Sequence, residues 1–319
     1  MNGVFRGQTA FLAVALLVSA GGAFADDDGN KNNRAKEFES GGPTINAHDP
    51  NVVDDAPTKG GTAALTPITF HNGPVMATPK AYLIWYGNWN QSNGSDTPAG
   101  QTLVRDFLFG VSNSPYFQIN TTYNGPTGFV SMGSETTVAA QARSRLSDNG
   151  VFSVVSNAIT SGKLPKDSSG VYFVITSSDI AKSGFCTQYC GWHTYGTVAG
   201  TNIKYSFVGN ANRCLNACAA QTVGPNGNAG VDGMLSVLAH ELEESTTDPN
   251  LNAWYDSAGN ENGDKCAWTF GQNQTVGANG ASYNMTLAAQ STSSRNYLIQ
   301  RNISTLDNKC YVNFVTKAQ

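Results

Sequence analysis

Near-continuous apolar runs, separated by stretches with a helical period, fill the middle of the chain. Strands covered on both faces have this kind of run, and the sequence predicts them at AYLIWYG (81–87), GVYFVITSSDI (170–180) and IKYSFVGN (203–210). A further strand is predicted at LTPITFHNGPVM (65–76), with short ones at 281–287 and 296–300 in the Gly- and Asn-rich last third.

Helical periods lie between these strands. Apolar residues recur at helical spacing in 98–111 and in 149–165, and the second stretch ends at Gly and Pro. The stretch 135–148 is predicted as a strand that runs into a short helix, and a longer helix is predicted at 231–247. Strands that alternate with helices favour the α/β class. We therefore predict a single domain in which helices pack against a mixed β-sheet.

The helix predicted at 231–247 has two different faces. Each residue advances about 100° around a helix. One apolar stripe along the helix is therefore formed by Val231, Met234, Leu235, Leu238 and Leu242. His240 and Glu244 lie one turn apart on the opposite side, with Glu241 beside them. Asp232 is predicted to cap the start of the helix, and Asp248-Pro249 to end it.

The H-E-x-x-E string on this helix predicts a metal site. An imidazole and a carboxylate one turn apart can reach one cation, and a catalytic zinc takes three protein ligands and keeps one open position. His240 and Glu244 would supply two ligands, and Glu241 would accept a proton from the attacking water as general base. The alternative is a solvated acidic face, because H-E-x-x-E is less specific than H-E-x-x-H.

A third ligand is expected from WYDSAGNENGDKC (254–266). Asp264 is preferred because it follows Gly263, which would let the backbone turn toward the helix. A Cys266–Cys310 disulfide would hold this loop in place. The other acidic candidates in the loop are Glu261 and Asp256.

Two further interpretations stay open at this point. The acidic loop could bind calcium instead of completing a zinc site, although it lacks EF-hand spacing. His193, in CGWHTYG, is interpreted as a hydrogen-bonded structural residue, with an extra metal ligand or a substrate contact as the alternative. His71, in HNGP, is interpreted as a packing or turn residue.

The N-terminus predicts export. Arg6 precedes an apolar stretch that ends in Ala23-Phe24-Ala25, which is typical of a signal peptide at 1–25 with cleavage after Ala25. A membrane anchor is the alternative, but the apolar stretch is shorter than the ~20 residues that a spanning helix needs. Residues 26–62 have few large apolar residues and are predicted as a disordered leader or pro-segment. The folded domain is then 63–319, a secreted protein with no membrane association after cleavage.

The charge and cysteine content agree with an exported, extracellular protein. Only 13% of the 319 residues are charged and the net charge is −4, with no basic stripe, so nucleic acid is excluded as an expected partner. The even number of cysteines, six, predicts disulfides in an exported protein. We expect Cys186 and Cys190 to pair with Cys214 and Cys218, in either order, and Cys266 with Cys310. Two C-x-x-x-C spacings leave a zinc knuckle as the alternative.

Four blocks of the sequence, in order, resemble the EXORDIUM or phosphate-induced protein family. They are FHNGPVM with YLIWYGNW (70–89), GVYFVITSSDIAKSGFCTQYCGWHTYG (170–196), GVDGMLSVLAHELEESTTDPNLNAWY (230–255) and GDKC (263–266). The resemblance covers most of 65–312 and implies a secreted, cell-wall-associated protein, with an extracellular protein or cell-wall polysaccharide as partner. The leader and the Asn-rich last third depart from the plant pattern, so a plant hormonal role is not carried over.

Two classes of function follow. The string HEL-x-E, TDP, WYD, GD-x-C is similar to zincin relatives, which implies a zincin-like active helix and a zinc-dependent hydrolase of the peptidase type. The alternative is a non-catalytic extracellular or cell-wall-associated binding or signalling protein.

Overall fold

The computed structural model describes residues 66–315 and, as backbone, residues 36–39. Its helices are α1 (Pro98–Val111), α2 (Asp148–Thr160), α3 (Leu215–Cys218) and α4 (Ala229–Thr247), with 3₁₀ turns at Phe117–Tyr123, Ala211–Arg213 and Asp264–Cys266. The strands are β1 (Lys36–Glu39), β2 (Thr69–Phe70), β3 (Lys80–Tyr86), β4 (Ser131–Val138), β5 (Arg145–Leu146), β6 (Gly170–Thr176), β7 (Ala181–Lys182), β8 (Tyr189–Val198), β9 (Thr201–Val208), β10 (Trp254–Tyr255), β11 (Thr275–Val276), β12 (Ser282–Tyr283), β13 (Met285–Ala288), β14 (Ser294–Tyr297), β15 (Asn302–Ser304) and β16 (Lys309–Tyr311).

A six-stranded mixed sheet, in the order β1-β8-β9-β6-β3-β4, forms the centre of the fold. The four strands β9, β6, β3 and β4 run parallel, and β8 pairs antiparallel with β9. The apolar runs predicted as covered strands correspond to β3, β6 and β9, and every residue of β6 is buried. The α/β class and the mixed sheet packed by helices are thereby confirmed.

Helices cover both faces of this sheet, and the alternation of side chains along β8 separates the two faces. Gly191 and His193 are two residues apart and share one face, whereas Gly196 is on the other. A Cβ atom added to Gly191 would lie 2.5 Å from Cγ1 of Val237, on α4. One added to Gly196 would lie 2.7 Å from the ring of Phe152, on α2. His193 therefore faces α4, and α2 packs on the opposite face.

Several expected elements have different bounds in the structure. The strand expected at 65–76 shortens to β2, and Asn72 follows it with a φ of 66°, a left-handed conformation that breaks an extended strand. No separate helix forms in 135–147: α2 begins only at Asp148, where Ser147 caps its start by accepting a hydrogen bond from the Gly150 backbone N–H. The strand β8, which carries His193, is not among the predicted strands.

The predicted N-terminal segments fall mostly outside the described residues. The signal peptide at 1–25 lies outside them, and so does the leader at 26–62 except for 36–39. Those four residues form β1, which pairs antiparallel with β8 and places Phe38 opposite Gly191. Within the described part of the chain, no helix is both long enough and apolar enough to cross a membrane.

Three disulfides connect the six cysteines of the chain, and none is left as a thiol. The bridges are Cys186–Cys214, Cys190–Cys218 and Cys266–Cys310. This confirms the expected pairing and settles the order that the sequence left open. The first two bridges join the start of β8 to the segment before α4, and the third joins the loop after α4 to β16.

Candidate metal centre

The helix α4 begins two residues earlier than predicted. Asn228, and not Asp232, caps it, because the Asn228 side chain accepts the Val231 backbone N–H. Asp232 instead accepts hydrogen bonds from the backbone and side chain of Asn226, which holds the preceding loop. The predicted end is confirmed: the helix stops at Asp248, whose N–H donates to the Glu244 carbonyl.

The acidic residues of α4 are not a solvated face. Glu241, Glu243 and Glu244 are fully buried, as is His240. Both carboxylate oxygens of Glu241 and Oε2 of Glu244 have no hydrogen-bond partner among the described residues. Buried carboxylates without partners are strongly unfavourable unless a cation or a proton compensates them, so the burial is an observation that fits a cation site.

The three side chains expected as metal ligands converge. Nε2 of His240 lies 2.9 Å from Oε1 of Glu244 and 3.6 Å from Oδ1 of Asp264. One ligand atom from each of the three residues lies within 4.8 Å of the other two. Asp264 keeps 20% of its side chain exposed, so the group meets solvent on the side of this residue.

The loop at Asp264 is fixed by local hydrogen bonds. The Asp264 backbone N–H donates to Oε1 of Glu244, and the Glu261 backbone N–H donates to Oδ2 of Asp264. The Cys266–Cys310 disulfide anchors the end of this loop.

The reason expected for Gly263 is wrong. Gly263 has φ −65° and ψ −44°, an ordinary helical conformation that any residue adopts. A Cβ atom there would lie 2.8 Å from Nδ1 of His240, so glycine is needed because the imidazole packs directly on the backbone.

A second histidine joins the group from the sheet. Nδ1 of His193 lies 3.3 Å from Oε2 of Glu244 and 3.6 Å from Oε2 of Glu241, and Nε2 lies 3.7 Å from Oε1 of Glu261. One ligand atom from each of His193, Glu244 and Glu261 lies within 4.8 Å of the other two. Two groups of ligand-type side chains therefore share Glu244.

Asp256 lies outside both groups. Its carboxylate accepts the backbone N–H groups of Ala258 and Asn260 and pairs with Lys265. Burial alone would raise the pKa of Asp256, but the hydrogen bond from Lys265 and those within the loop lower it. Asp256 shapes the loop that carries the other two acidic candidates, Glu261 and Asp264.

The charges of the group are strongly coupled. Burial raises the pKa of Glu241 to about 7. Burial acts in the same direction on Glu244, but His240 and His193 outweigh it and hold the pKa of Glu244 well below its usual range. Burial would lower the pKa of His193, yet Glu241 and Glu244 raise it to about 9. The imidazoles and carboxylates of the group therefore shift one another's pKa values strongly.

Gln300 sets the orientation of His240. Its side-chain nitrogen lies 2.8 Å from Nδ1 of His240 and donates to the Gly263 carbonyl at 3.3 Å. In this arrangement Nδ1 accepts, and the proton of the neutral imidazole sits on Nε2. Binding of a metal at Nε2 needs the other tautomer, with the Nδ1 proton donated to an acceptor. Rotation of the Gln300 amide presents Oε1, which has no partner among the described residues.

Replacement of Gln300 by Leu is expected to weaken zinc binding at His240 by about 10- to 100-fold, because the imidazole loses the acceptor that fixes its metal-binding tautomer. Competition with a chromophoric chelator measures the affinity. The matched control is Gln300→Glu, which offers an acceptor at the same place and should retain binding. Equal affinities in Gln300→Leu and wild type would contradict the role of Gln300.

Sequence reasoning missed two residues of this centre and undervalued a third. Gln300 and Gly191 were not expected, and His193 was interpreted as structural. A Cβ atom on Gly191 would lie 2.8 Å from Oε1 of Glu241, so this glycine makes room for the carboxylate. The Gly-x-His spacing in CGWH was an available signal, because two residues of a strand two apart share a face. No local pattern marks Gln300.

The ring of His71 stacks on that of Tyr255, with 3.7 Å between the ring centroids, which agrees with the interpretation of His71 as a packing residue.

Comparisons with known proteins agree with the blocks found in the sequence. Residues 68–313 match the sequence model of the family described as "Phosphate-induced protein 1 conserved region". The chain is 30% identical over 249 residues to Protein EXORDIUM-like 5 of Arabidopsis thaliana, covering 66% of this chain and 67% of the relative. It is 30% identical over 246 residues to Protein EXORDIUM-like 3 of the same plant, covering 67% of this chain and 71% of the relative. It is 24% identical over 283 residues to Protein PHOSPHATE-INDUCED 1 of Nicotiana tabacum, covering 73% of this chain and 83% of the relative.

No solved structure matches the chain, so the likeness rests on sequence. The family model extends from the residue before β2 to residue 313 and includes α4, β8 and the Asp264 loop. The chain belongs to the EXORDIUM, or phosphate-induced protein 1, family.

Proposed function

We propose that this protein is a secreted zinc-dependent hydrolase that acts on extracellular polypeptides. The observation that carries the proposal is the convergence of His240, Glu244 and Asp264 beside the buried carboxylate of Glu241, which accepts no hydrogen bond from the described residues. Three ligands with a general base next to them are the protein part of a hydrolytic zinc site.

The donor set suits zinc. Zinc bonds of about 2.0–2.2 Å in a tetrahedron separate neighbouring ligand atoms by roughly 3.4 Å, and Nε2 of His240 lies 2.9 and 3.6 Å from its two carboxylate neighbours. One nitrogen and two oxygens leave one tetrahedral position open. Calcium takes six to eight oxygen ligands, so the imidazole makes it the poorer fit to this group.

The chain's own residues supply the other parts of the reaction. Zinc, when bound, would polarise the scissile carbonyl and lower the pKa of the attacking water. Glu241 would accept the proton of this water and deliver it to the leaving amine. Gln300 would hold the His240 tautomer, and the buried walls around the group would exclude competing water.

The proposed compartment is extracellular. It is supported by the signal-like N-terminus and by the pairing of all six cysteines, since disulfides persist in oxidising compartments.

One observation favours a second candidate function. Of the residues proposed to bind or react, all but Asp264 are fully buried. A buried ionic group can also be a structural element. The protein would then be a non-catalytic binding or signalling protein of the cell wall or extracellular space, which is the alternative function expected from the sequence.

The metal content of the secreted protein distinguishes these candidates. We expect wild-type protein, folded with its disulfides and dialysed against metal-free buffer, to retain zinc in mass-spectrometric elemental analysis. His240→Ala and Asp264→Ala are each expected to hold one zinc ion fewer, because the two remaining ligands bind zinc poorly. His71→Ala is the matched control, since His71 lies outside the group.

Zinc content equal to wild type in both His240→Ala and Asp264→Ala would contradict the assigned ligands. A wild-type protein that is correctly folded, binds no zinc and cleaves neither labelled casein nor a quenched-peptide library would leave the non-catalytic function.

A further inference from the structure

A second group of ligand-type side chains adjoins the proposed zinc site, and two of its three members have no part in the reaction outlined above. It consists of His193, Glu244 and Glu261, each with a ligand atom within 4.8 Å of the others. All three residues are fully buried. Glu244 is also a member of the proposed zinc site, so the two groups meet at one carboxylate.

The two oxygens of Glu244 face different imidazoles. Oε1 lies 2.9 Å from Nε2 of His240, and Oε2 lies 3.3 Å from Nδ1 of His193. Within the described part of the chain, Oε2 makes no hydrogen bond. A carboxylate that presents one oxygen to each of two ligand groups is arranged as a bridge between two cations, and hydrolytic two-metal sites hold their ions about 3.5–4 Å apart.

His193 is oriented as a metal ligand. Its Nε2 lies 3.4 Å from the Asp248 carbonyl oxygen and 3.7 Å from Oε1 of Glu261, two acceptors that favour the proton on this nitrogen. The Nδ1 lone pair then points toward Glu244, is fully buried and has no hydrogen-bond partner among the described residues. Metal-binding histidines generally donate their other ring N–H to a carbonyl or carboxylate in this way. The burial of this nitrogen without a hydrogen-bond partner among the described residues is an observation in addition to the clustering of the acidic residues.

The balance of charge also favours a second cation. Four carboxylates meet here with two imidazoles: those of Glu241, Glu244, Glu261 and Asp264. Lys265, in the same loop, pairs with Asp256 instead. Carboxylates gathered inside the protein are unfavourable without compensating cations, and two divalent cations would offset this group more fully than one.

We propose that His193, Glu244 and Glu261 hold a second divalent transition-metal cation, with Glu244 bridging it to the ion at His240 and Asp264. The proposal rests on the proposed function for the shared ligand Glu244. A site of one nitrogen and two oxygens suits zinc, and zinc is the probe for the test.

The test is the zinc stoichiometry of the full chain after loading with zinc sulfate and dialysis. Wild type is expected to retain two zinc ions, and His193→Ala and Glu261→Gln one each. Glu244→Ala is expected to retain neither zinc ion, because it loses the bridging carboxylate. The control His71→Ala is expected to retain both. Two anomalous-scattering peaks in crystals of wild type, and one in crystals of Glu261→Gln, would locate the ions.

Each other outcome counts against the second cation. Two zinc ions in both His193→Ala and Glu261→Gln would overturn the ligand assignment. One zinc ion in wild type, lost in His240→Ala and kept in His193→Ala, would overturn the second cation and leave the proposed function standing; His193 would then balance the carboxylates as an imidazolium. No zinc in wild type would overturn both. If His193→Ala fails to fold, Glu261→Gln carries the test, since it preserves the side-chain shape.

Discussion

Replacing Glu241 by Gln is expected to lower hydrolysis by at least ~10²-fold, because the amide keeps the shape of the carboxylate but cannot accept a proton. Bound zinc should be unchanged, since Glu241 is not in the group formed by His240, Glu244 and Asp264. The measurement is the rate of cleavage of a quenched peptide, together with zinc content, for wild type and variant.

The matched control for this experiment is Glu243→Gln. Glu243 is also fully buried on α4, but its Oε2 accepts a hydrogen bond from the Asn302 side chain, and it belongs to neither group of ligand-type side chains. Burial raises the pKa of Glu243 well above its usual range, which favours the protonated acid, the form that the amide resembles. Equal losses of activity in the two variants would contradict a special role for Glu241, as would full activity in Glu241→Gln.

Removal of the Cys266–Cys310 disulfide by a double replacement with Ala is expected to lower the free energy of unfolding by about 4 kcal/mol. The bridge spans a sequence separation of 44 residues, and its loss frees the unfolded chain. Because Cys266 ends the turn that begins at Asp264, zinc should also bind more weakly. Urea unfolding and zinc affinity measure the two effects.

The Cys186–Cys214 disulfide is the comparison for this variant. It spans 28 residues, so its loss should cost slightly less stability by the same chain-entropy estimate. It lies away from the Asp264 loop and should leave zinc affinity close to that of wild type. Loss of zinc to the same extent in both double variants would show that the effect comes from general destabilisation and not from the loop.

The parts of the fold predicted from the sequence are those encoded by local patterns. The helix α1 has the predicted bounds because Thr97 caps it, accepting from the Gly100 backbone N–H, and Pro98 begins it. The strands β3 and β6 were predicted because strands buried on both faces are apolar throughout. The spacing of His240 and Glu244 by one turn required only that the segment be helical.

The acidic loop was predicted in part. Its position after α4 and the anchor at Cys266 were read from the sequence, and the preferred ligand, Asp264, lies beside His240. The sequence could not separate Asp256, which turns back to Lys265, from Glu261, which approaches His193. These directions depend on hydrogen bonds within the folded loop, and loop composition does not specify them.

The sequence by itself determined the class of fold, the presence of disulfides, and the helix that carries His240, Glu241 and Glu244, because these follow from local periodicity, capping and the even number of cysteines; the pairing of Cys266 with Cys310 was expected, and the structure settled it. Only the tertiary structure decided that these glutamates are buried, and that His193 and Gln300 join them from elements distant in sequence. The physical reason is that register and packing against other elements fix which way a strand's face and a loop point. The residue pattern of a segment predicts only its secondary structure and which of its sides is apolar.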